Sequence, residues 1–329
     1  MSASRKVFER EAGATARDER AIQKRIDKLD AEKTPEKSDA MQAGAREYPV
    51  HFPKQHLKKP GSEAELQLAP MYDAPHYKGS DKLLDKVALI TGGDSGIGRA
   101  VAVLYAREGA DVAIAYLDED EDAAETKRAV EAEGRRCITI AGDVANPKFC
   151  AAAVKETVKA FGQLDILVNN AAFQEHVLDF LDLSEEHFDR TIKTNLYGYF
   201  HMAKAAVPQM KPGGAIINTG SVTGIEGSKY LLDYSMTKGG IHAFTRSLSA
   251  NLISKGIRVN CVAPGPVWTP LNPADRAADD VAKFGQQSAM KRAAQPEEIA
   301  PAYVFLAAAS CSSYITGEII PIIGGYSGG

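Results

Sequence analysis

A chain of 329 residues with 44% hydrophobic and 25% charged residues is long enough, and apolar enough, for one large α/β domain or two smaller ones. Its net charge of -4 offers no global attraction to nucleic acid or to an anionic membrane surface, and no apolar run is long enough to span a bilayer. Cys137, Cys150, Cys261 and Cys311 fall in no C-x-x-C spacing, which argues against a zinc site or a disulfide framework. With a polar, charged start in place of a secretory signal, the expected location is the cytoplasm.

Residues 1–47 mix charges of both signs with few large apolar groups and read as a polar tail. Ile22, Ile26 and Leu29 stand at helical spacing, so a short amphipathic helix that docks on a partner subunit is the other reading. Residues 48–81 carry Pro49, Pro53, Pro60, Pro70 and Pro75, which exclude long helices and central strands. Phe52, Leu66, Leu68, Met71, Tyr72 and Tyr77 are interleaved with them, as expected of an extended strap lying on a domain surface.

From residue 82 onward strands and helices alternate. Strands are expected over 87–91, 112–116, 137–141, 166–168, 215–218, 258–263 and 319–323. Helices are expected over 97–108, 122–133, 147–161, 184–207, 234–253 and 296–309, with Ser184 as an N-cap and Pro147 at a helix start. This order predicts an α/β fold: a doubly wound parallel sheet (Rossmann fold) in one domain with an N-terminal extension.

Two constellations carry chemistry. Thr91-Gly92-Gly93-Asp94-Ser95-Gly96-Ile97-Gly98 joins the first strand to the first helix. Gly92 permits the sharp exit from the strand, and Gly96 and Gly98 permit close approach of a dinucleotide and of the helix to the sheet. The helix N-terminus beyond offers N–H groups and partial positive charge to a pyrophosphate. The second is Tyr234-Ser-Met-Thr-Lys238, with Ser221 just past the fifth strand. Positions i and i+4 share a helix face, so Tyr234 and Lys238 can point at one site. A nearby ammonium favours the phenolate and would bring the tyrosine toward the working range of a general base. Ser221 is placed at the carboxyl edge of the sheet, where open α/β folds bind ligands.

With Asp143-Val144, Asn169-Asn170-Ala171, Asn195-x-x-Gly198, Pro264-Gly265 and Thr269 also in order, the chain from about Lys82 to Gly325 resembles the short-chain dehydrogenase/reductases. The turn sequence and the long extension resemble its glucose/ribitol dehydrogenase-like and aldehyde reductase-like branch. The resemblance implies an NAD(P)-dependent oxidoreductase that interconverts a carbonyl and an alcohol. It makes Tyr234 the general acid/base, Lys238 the ribose holder that lowers the tyrosine pKa, and Ser221 the group that polarises the substrate oxygen. Asn195 would hold a water linking Lys238 to solvent. Gly92, Asp94, Ser95, Gly96, Ile97 and Gly98 would cradle the cofactor, with Tyr116 at the end of the second strand. Asp143 and Val144 would flank the adenine, Asn170 and Ala171 the ribose, and Pro264, Gly265, Val267 and Thr269 the nicotinamide. The residues 271–288 would form a mobile substrate lid.

Two departures matter. The family's Asn-Asn-Ala-Gly ends here in Ala172. Tyr116 stands where NAD-preferring members often carry an acid, and no arginine follows; Leu117, Asp118, Glu119 and Asp120 do. Together with Asp94 that run would repel a 2′-phosphate, so NAD(H) is expected ahead of NADP(H). Gln174 and His176 either line the substrate entrance or are ordinary loop groups, and Trp268 is read as packing ahead of a substrate wall. The histidines show no metal-ligand spacing, so no metal is expected in the reaction. A homotetramer is expected, because helices 184–207 and 234–253 carry Leu196, Tyr197, Tyr199, Phe200, Met202, Phe244, Leu248 and Leu252 over much of their circumference. A dinucleotide-binding regulatory or structural protein with vestigial chemistry is the alternative, which the intact Asn195, Ser221, Tyr234 and Lys238 set argues against.

Overall fold

The computed structural model describes Lys28 and residues 39–325; the stretch with Ile22, Ile26 and Leu29 lies outside them. Seven parallel strands form one sheet: β1 (Val87–Thr91), β2 (Asp111–Tyr116), β3 (Cys137–Ala141), β4 (Ile166–Asn169), β5 (Ala215–Thr219), β6 (Arg258–Pro264) and β7 (Ile319–Ile322). Their order across the sheet is β3-β2-β1-β4-β5-β6-β7. The chain runs outward in one direction from β1 to β3, then returns to the other side of β1 with β4. That reversal leaves a crevice beyond the carboxyl ends of β1 and β4, the place where such sheets bind ligands.

The central strands are short and rich in apolar residues because helices cover both faces. Every residue of β1, β2, β4, β5 and β6 is buried. The helices are α1 (Gly96–Arg107), α2 (Asp120–Ala132), α3 (Pro147–Phe161), α4 (Glu185–Ile192), α5 (Gly198–Ala206), the single turn α6 (Thr223–Glu226), α7 (Leu232–Leu252), the single turn α8 (Ala278–Val281), α9 (Pro296–Ala307) and α10 (Ala309–Ser312). One core joins α1 and α9 to one face through Leu104, Tyr105, Ile299 and Tyr303. A second joins α3, α5 and α7 to the opposite face through Val154, Met202 and Leu252. The helix expected over 184–207 is not a uniform α-helix. Between α4 and α5 the residues Lys193–Tyr197 form a π-helical turn, a wider turn that recurs at functional sites.

Between residues 41 and 80 the chain holds one 3₁₀ turn, Glu63–Glu65, as the prolines require. The strap packs on the segment between β6 and α9. Phe52, Leu57 and Leu66 share a cluster with Trp268, Ala274, Val281, Phe284 and Ala293. Phe52 stacks on Trp268 with ring centres 4.0 Å apart, and the Trp268 indole N–H donates to the Leu68 carbonyl at 2.8 Å. Trp268 is thus fully buried packing.

Candidate active site

The β1–α1 turn is held on two sides by close backbone contact. Gly92 has φ +60°, and a Cβ there would stand 3.0 Å from the Ala171 Cα. A Cβ on Gly98 would stand 1.9 Å from the Gly92 carbonyl oxygen, so the first turn of α1 has room only for a glycine at this position. Gly96 rests against the Thr269 methyl, which an added Cβ would approach to 2.8 Å. The Thr91 hydroxyl accepts from the amides of Asn170 at 2.9 Å and Ala171 at 3.1 Å, while the Asn170 side-chain amide donates to the Gly92 carbonyl at 2.9 Å. Residues from β1, β4 and the stretch after β6 therefore line one crevice. Ala172 has no left-handed backbone, so its methyl group introduces no strain there.

This cradle fits a dinucleotide. The glycines leave backbone where side chains would otherwise stand, and the first-turn N–H groups of Ile97 and Gly98 have no intrahelical acceptors. The Gly96 N–H is differently used: it donates at 2.7 Å to the Glu63 carboxylate of the strap. Glu63 also pairs with Arg99 at 2.7 Å. Arg99 donates further to the Asp94 carbonyl, the Thr126 hydroxyl and the Asp122 carbonyl. Burial pushes the Glu63 carboxyl up to about 7 against the pull of Arg99. Asp94 is buried and its pKa raised, chiefly by that burial. Glu119 is pushed up to about 7, first by burial and then by the Asp94 charge. Ser95 is the N-cap of α1. The Tyr116 hydroxyl donates to Asp120 at 2.5 Å, which turns one carboxylate of the acidic run toward the end of β2.

Further along the crevice, Asp143 accepts from the Ala145 amide at 2.8 Å and Val144 is buried. Val144 also explains Gly198: a Cβ there would come 2.9 Å from a Val144 methyl. The Pro264 carbonyl accepts from the Val222 amide at 2.9 Å, tying the end of β6 to the loop that carries Ser221. Gly265 donates to the Ile322 carbonyl and faces the Ile323 backbone, which an added Cβ would approach to 2.9 Å. Val267 is buried and bridges to Ala294.

Ser221, Tyr234 and Lys238 meet at the carboxyl end of β5. The Ser221 hydroxyl accepts from the Thr223 amide at 3.1 Å and hydroxyl at 3.0 Å, and it lies close enough to the Tyr234 phenol to act on it. Lys238 is buried; its ammonium donates to the Thr219 carbonyl at 2.8 Å and lies 5.3 Å from the Tyr234 ring centre. Burial pulls this lysine down to about 8. Tyr234 is shifted above its ordinary value. Burial is the main cause, the Ser221 hydroxyl opposes it, and the charge of Asp275 reinforces it.

Asn195 sits in the π turn between α4 and α5. Its buried side chain is spent on other partners. The carbonyl oxygen accepts from the Phe173 amide at 2.8 Å, and the amide nitrogen donates to the Phe173 carbonyl and the Thr237 hydroxyl, both at 3.0 Å. Thr237 in turn donates to the Tyr234 carbonyl at 2.7 Å. The side chain of Asn195 therefore fixes the loop after β4 to the first turn of α7 and makes no direct contact with Lys238.

Sequence reasoning missed Glu63, Lys59 and Asp275. Glu63 and Lys59 lie in the strap, where no periodicity marks them. Asp275 is one of several aspartates between β6 and α9, and only the fold shows it buried against Gln174 and His176.

Comparison with known proteins agrees with this geometry. The family model described as enoyl-(acyl carrier protein) reductase matches residues 92–327. Glucose and ribitol dehydrogenase from Daucus carota is 48% identical over 280 residues, covering 83% of this chain and 96% of that protein. NADPH-dependent aldehyde reductase 1, chloroplastic, from Arabidopsis thaliana is 46% identical over 278 residues, covering 83% and 96%. The crystal structure of a short chain dehydrogenase from Burkholderia cenocepacia J2315 in complex with NADP superimposes with a TM-score of 0.69. It is 35% identical and covers 74% of this chain and 98% of its own. Among the described residues no helix is long and apolar enough to cross a membrane. A parallel sheet with its glycine turn, a crevice built to take a dinucleotide and these relatives lead to one conclusion: the chain belongs to the short-chain dehydrogenase/reductase family, whose members are NAD(P)-dependent oxidoreductases.

Proposed function

We propose that the protein interconverts a small aldehyde, ketone or sugar-like carbonyl with its alcohol, using Asn195, Ser221, Tyr234 and Lys238. The observation that carries this reading is the buried Lys238 ammonium 5.3 Å from the Tyr234 ring centre, with Ser221 close by at the sheet edge that also holds the glycine turn. The names of the carrot and Arabidopsis relatives support the substrate class.

The nicotinamide dinucleotide supplies or accepts the hydride when bound. Gly92, Asp94, Ser95, Gly96, Ile97 and Gly98 would take its phosphates and adjoining ribose, with Tyr116, Asp143 and Val144 on the adenine side. Asn170, Ala171, Pro264, Gly265, Val267 and Thr269 would line the nicotinamide side, with Tyr234 and Lys238 beside them. Ser221 orients the substrate oxygen by hydrogen bonding. Tyr234 gives that oxygen a proton in reduction and removes one in oxidation. The raised phenol pKa suits the donor role, because the group arrives protonated at neutral pH. Lys238, with a pKa of about 8, is placed to compensate the charge that develops on the tyrosine oxygen. Asn195 keeps the loop after β4 in register with Tyr234.

For the cofactor we propose a preference for NAD(H) over NADP(H). Asp94, Glu119 and Asp120 gather near the end of β2, and a 2′-phosphate there would meet carboxylates. The NADPH and NADP in the names of two relatives favour the other choice. Fluorescence titration with NADH and NADPH separates the two, and tighter NADPH binding overturns the preference. The four free thiols suit a reducing compartment, and we place the protein in the cytoplasm, acting on small molecules and not on nucleic acid or membrane.

The deciding experiment is turnover of NADH and NADPH across a panel of aldehydes, ketones and polyols, followed by the absorbance of the reduced nicotinamide. Cofactor binding with no turnover anywhere in a broad panel would instead support a dinucleotide-binding regulatory protein.

A further inference from the structure

Asp275 lies between Thr269, which rests on the glycine turn, and the short helix α8. Its side chain is 1% exposed. Donors from two other segments converge on it. The His176 amide donates to Oδ1 at 2.8 Å and the Gln174 side-chain amide to Oδ2 at 2.8 Å; His176 Nδ1 pairs with Oδ2. The strap adds Lys59, whose ammonium stands 3.6 Å from Oδ1 and donates to the Gln174 carbonyl at 2.9 Å. Lys59 also lies 5.4 Å from the ring centre of Phe173, whose backbone Asn195 holds.

A buried charge is costly unless donors surround it, and removing its partners costs more than the pair contributes. Here burial alone would raise the Asp275 pKa. The hydrogen bonds and charge of His176 and the bond from Gln174 outweigh burial and hold it below the usual carboxylate range. The carboxylate therefore ties three separate stretches together: the strap at Lys59, the loop after β4 at Gln174 and His176, and the lid. It does so close enough to Tyr234 for its charge to act on the phenol. The hydrophobic cluster around Trp268 packs the far side of the lid but makes no link to the loop after β4.

We infer that Asp275 is a positioning residue of the substrate site: it latches the lid to the Gln174–His176 loop beside Tyr234, with Lys59 of the strap as the outer tie. The inference rests on the reading of Tyr234 as the proton-transferring group only for its catalytic consequence. The latch itself is a property of the protein without substrate.

The test uses full-length Asp275→Asn, which keeps the size, removes the charge and presents an amide to donors, and Lys59→Met at the outer tie. Hydrogen exchange comes first. Peptides covering 171–177 and 269–288 should exchange at least about tenfold faster in Asp275→Asn, and less so in Lys59→Met, with the peptide over Thr91–Gly98 unchanged. With glyceraldehyde as the carbonyl probe, KM should rise about tenfold or more and kcat fall by a smaller factor. Cofactor affinity by fluorescence titration should stay within about twofold. Unchanged exchange at both peptides overturns the latch. So does faster exchange spread evenly over the whole chain together with lost cofactor binding, which marks a general structural role. Should no carbonyl probe turn over in the parent protein, the function proposed above fails while the exchange data still decide the latch.

Discussion

The Ser221 hydroxyl lies close enough to the Tyr234 phenol to pull its pKa down, and that hydroxyl already accepts two bonds from Thr223. With its lone pairs engaged by Thr223, the Ser221 O–H is free to point at Tyr234 or at a substrate oxygen beside it. Tyr234→Phe keeps the ring and removes the transferable proton. Turnover should fall by about two orders of magnitude or more, while cofactor affinity changes little. Stopped-flow turnover with fluorescence titration on the same sample checks both halves. Turnover near the parent level in this variant rules Tyr234 out as the acid/base.

Lys238 makes a stability prediction of the opposite sense. Burial lowers its pKa from the ordinary 10.5 to about 8, so carrying the charge in the folded state costs about 3 kcal/mol. The cost is complete below about pH 8 and is relieved between about pH 8 and 10.5, where the folded protein releases the proton before the unfolded chain does. The Thr219 carbonyl retains a donor in the Tyr199 hydroxyl at 3.0 Å. Lys238→Met should therefore be inactive yet more stable than the parent at pH 7, by up to about 3 kcal/mol, and the gain should shrink toward pH 10.5. Urea unfolding at the two pH values measures it. A methionine variant that is less stable at pH 7 defeats this account.

The sheet and the pairing of Tyr234 with Lys238 were legible because their signals are local. Apolar runs bounded by glycine gave the strands to within one or two residues, and Tyr234 and Lys238 share a helix face by spacing alone. The contacts that were not legible are long-range or leave the hydrophobic pattern unchanged. The π turn at Lys193–Tyr197 widens the backbone without altering which residues are apolar. Asn195 reads as a site residue, yet its partner Phe173 comes from a loop that no periodicity places beside it. Glu63 looks like a solvated charge in a proline-rich stretch until the fold brings Gly96 and Arg99 to it. The burial of the phenol was not legible either: spacing shows that an ammonium is near, but not how deeply the ring is enclosed.

The strap yields a third prediction. Phe52 is 5% exposed, stacks on Trp268 and meets Phe284 edge-on at 6.4 Å. Truncating a buried phenylalanine costs roughly 3–5 kcal/mol. Because the strap is not part of the sheet, the loss should appear first as local undocking and not as global unfolding. In Phe52→Ala, exchange protection of strap peptides between 48 and 68 should drop by about two orders of magnitude, with the strands of the sheet little affected. Protection equal to the parent's would show that the strap is held by other contacts.

The last prediction concerns assembly, where the structure narrows the basis of the argument. Of the apolar residues expected to face a partner, Tyr199, Met202 and Leu252 are buried in the protein's own core. Leu196, Phe244 and Leu248 are half-buried against it. Tyr197 and Phe200 do remain open, at 51% and 46% exposure, and Leu232 and Met236 on α7 are similarly exposed at 40% and 48%. We propose that this smaller patch is one contact between copies of the chain. The second lies where β7 ends the sheet, near the exposed Phe305 and Tyr314, since an edge strand offers backbone groups for pairing. Two different contacts of this kind close into a homotetramer of dihedral symmetry. Light scattering of the full-length protein at micromolar concentration should give four copies. Phe200→Glu, which sets a charge in the first patch without touching the core, should shift the population to dimers with an unchanged circular dichroism spectrum. A monomeric parent ends the assembly proposal, and a tetramer indifferent to Phe200→Glu removes this patch from the interface.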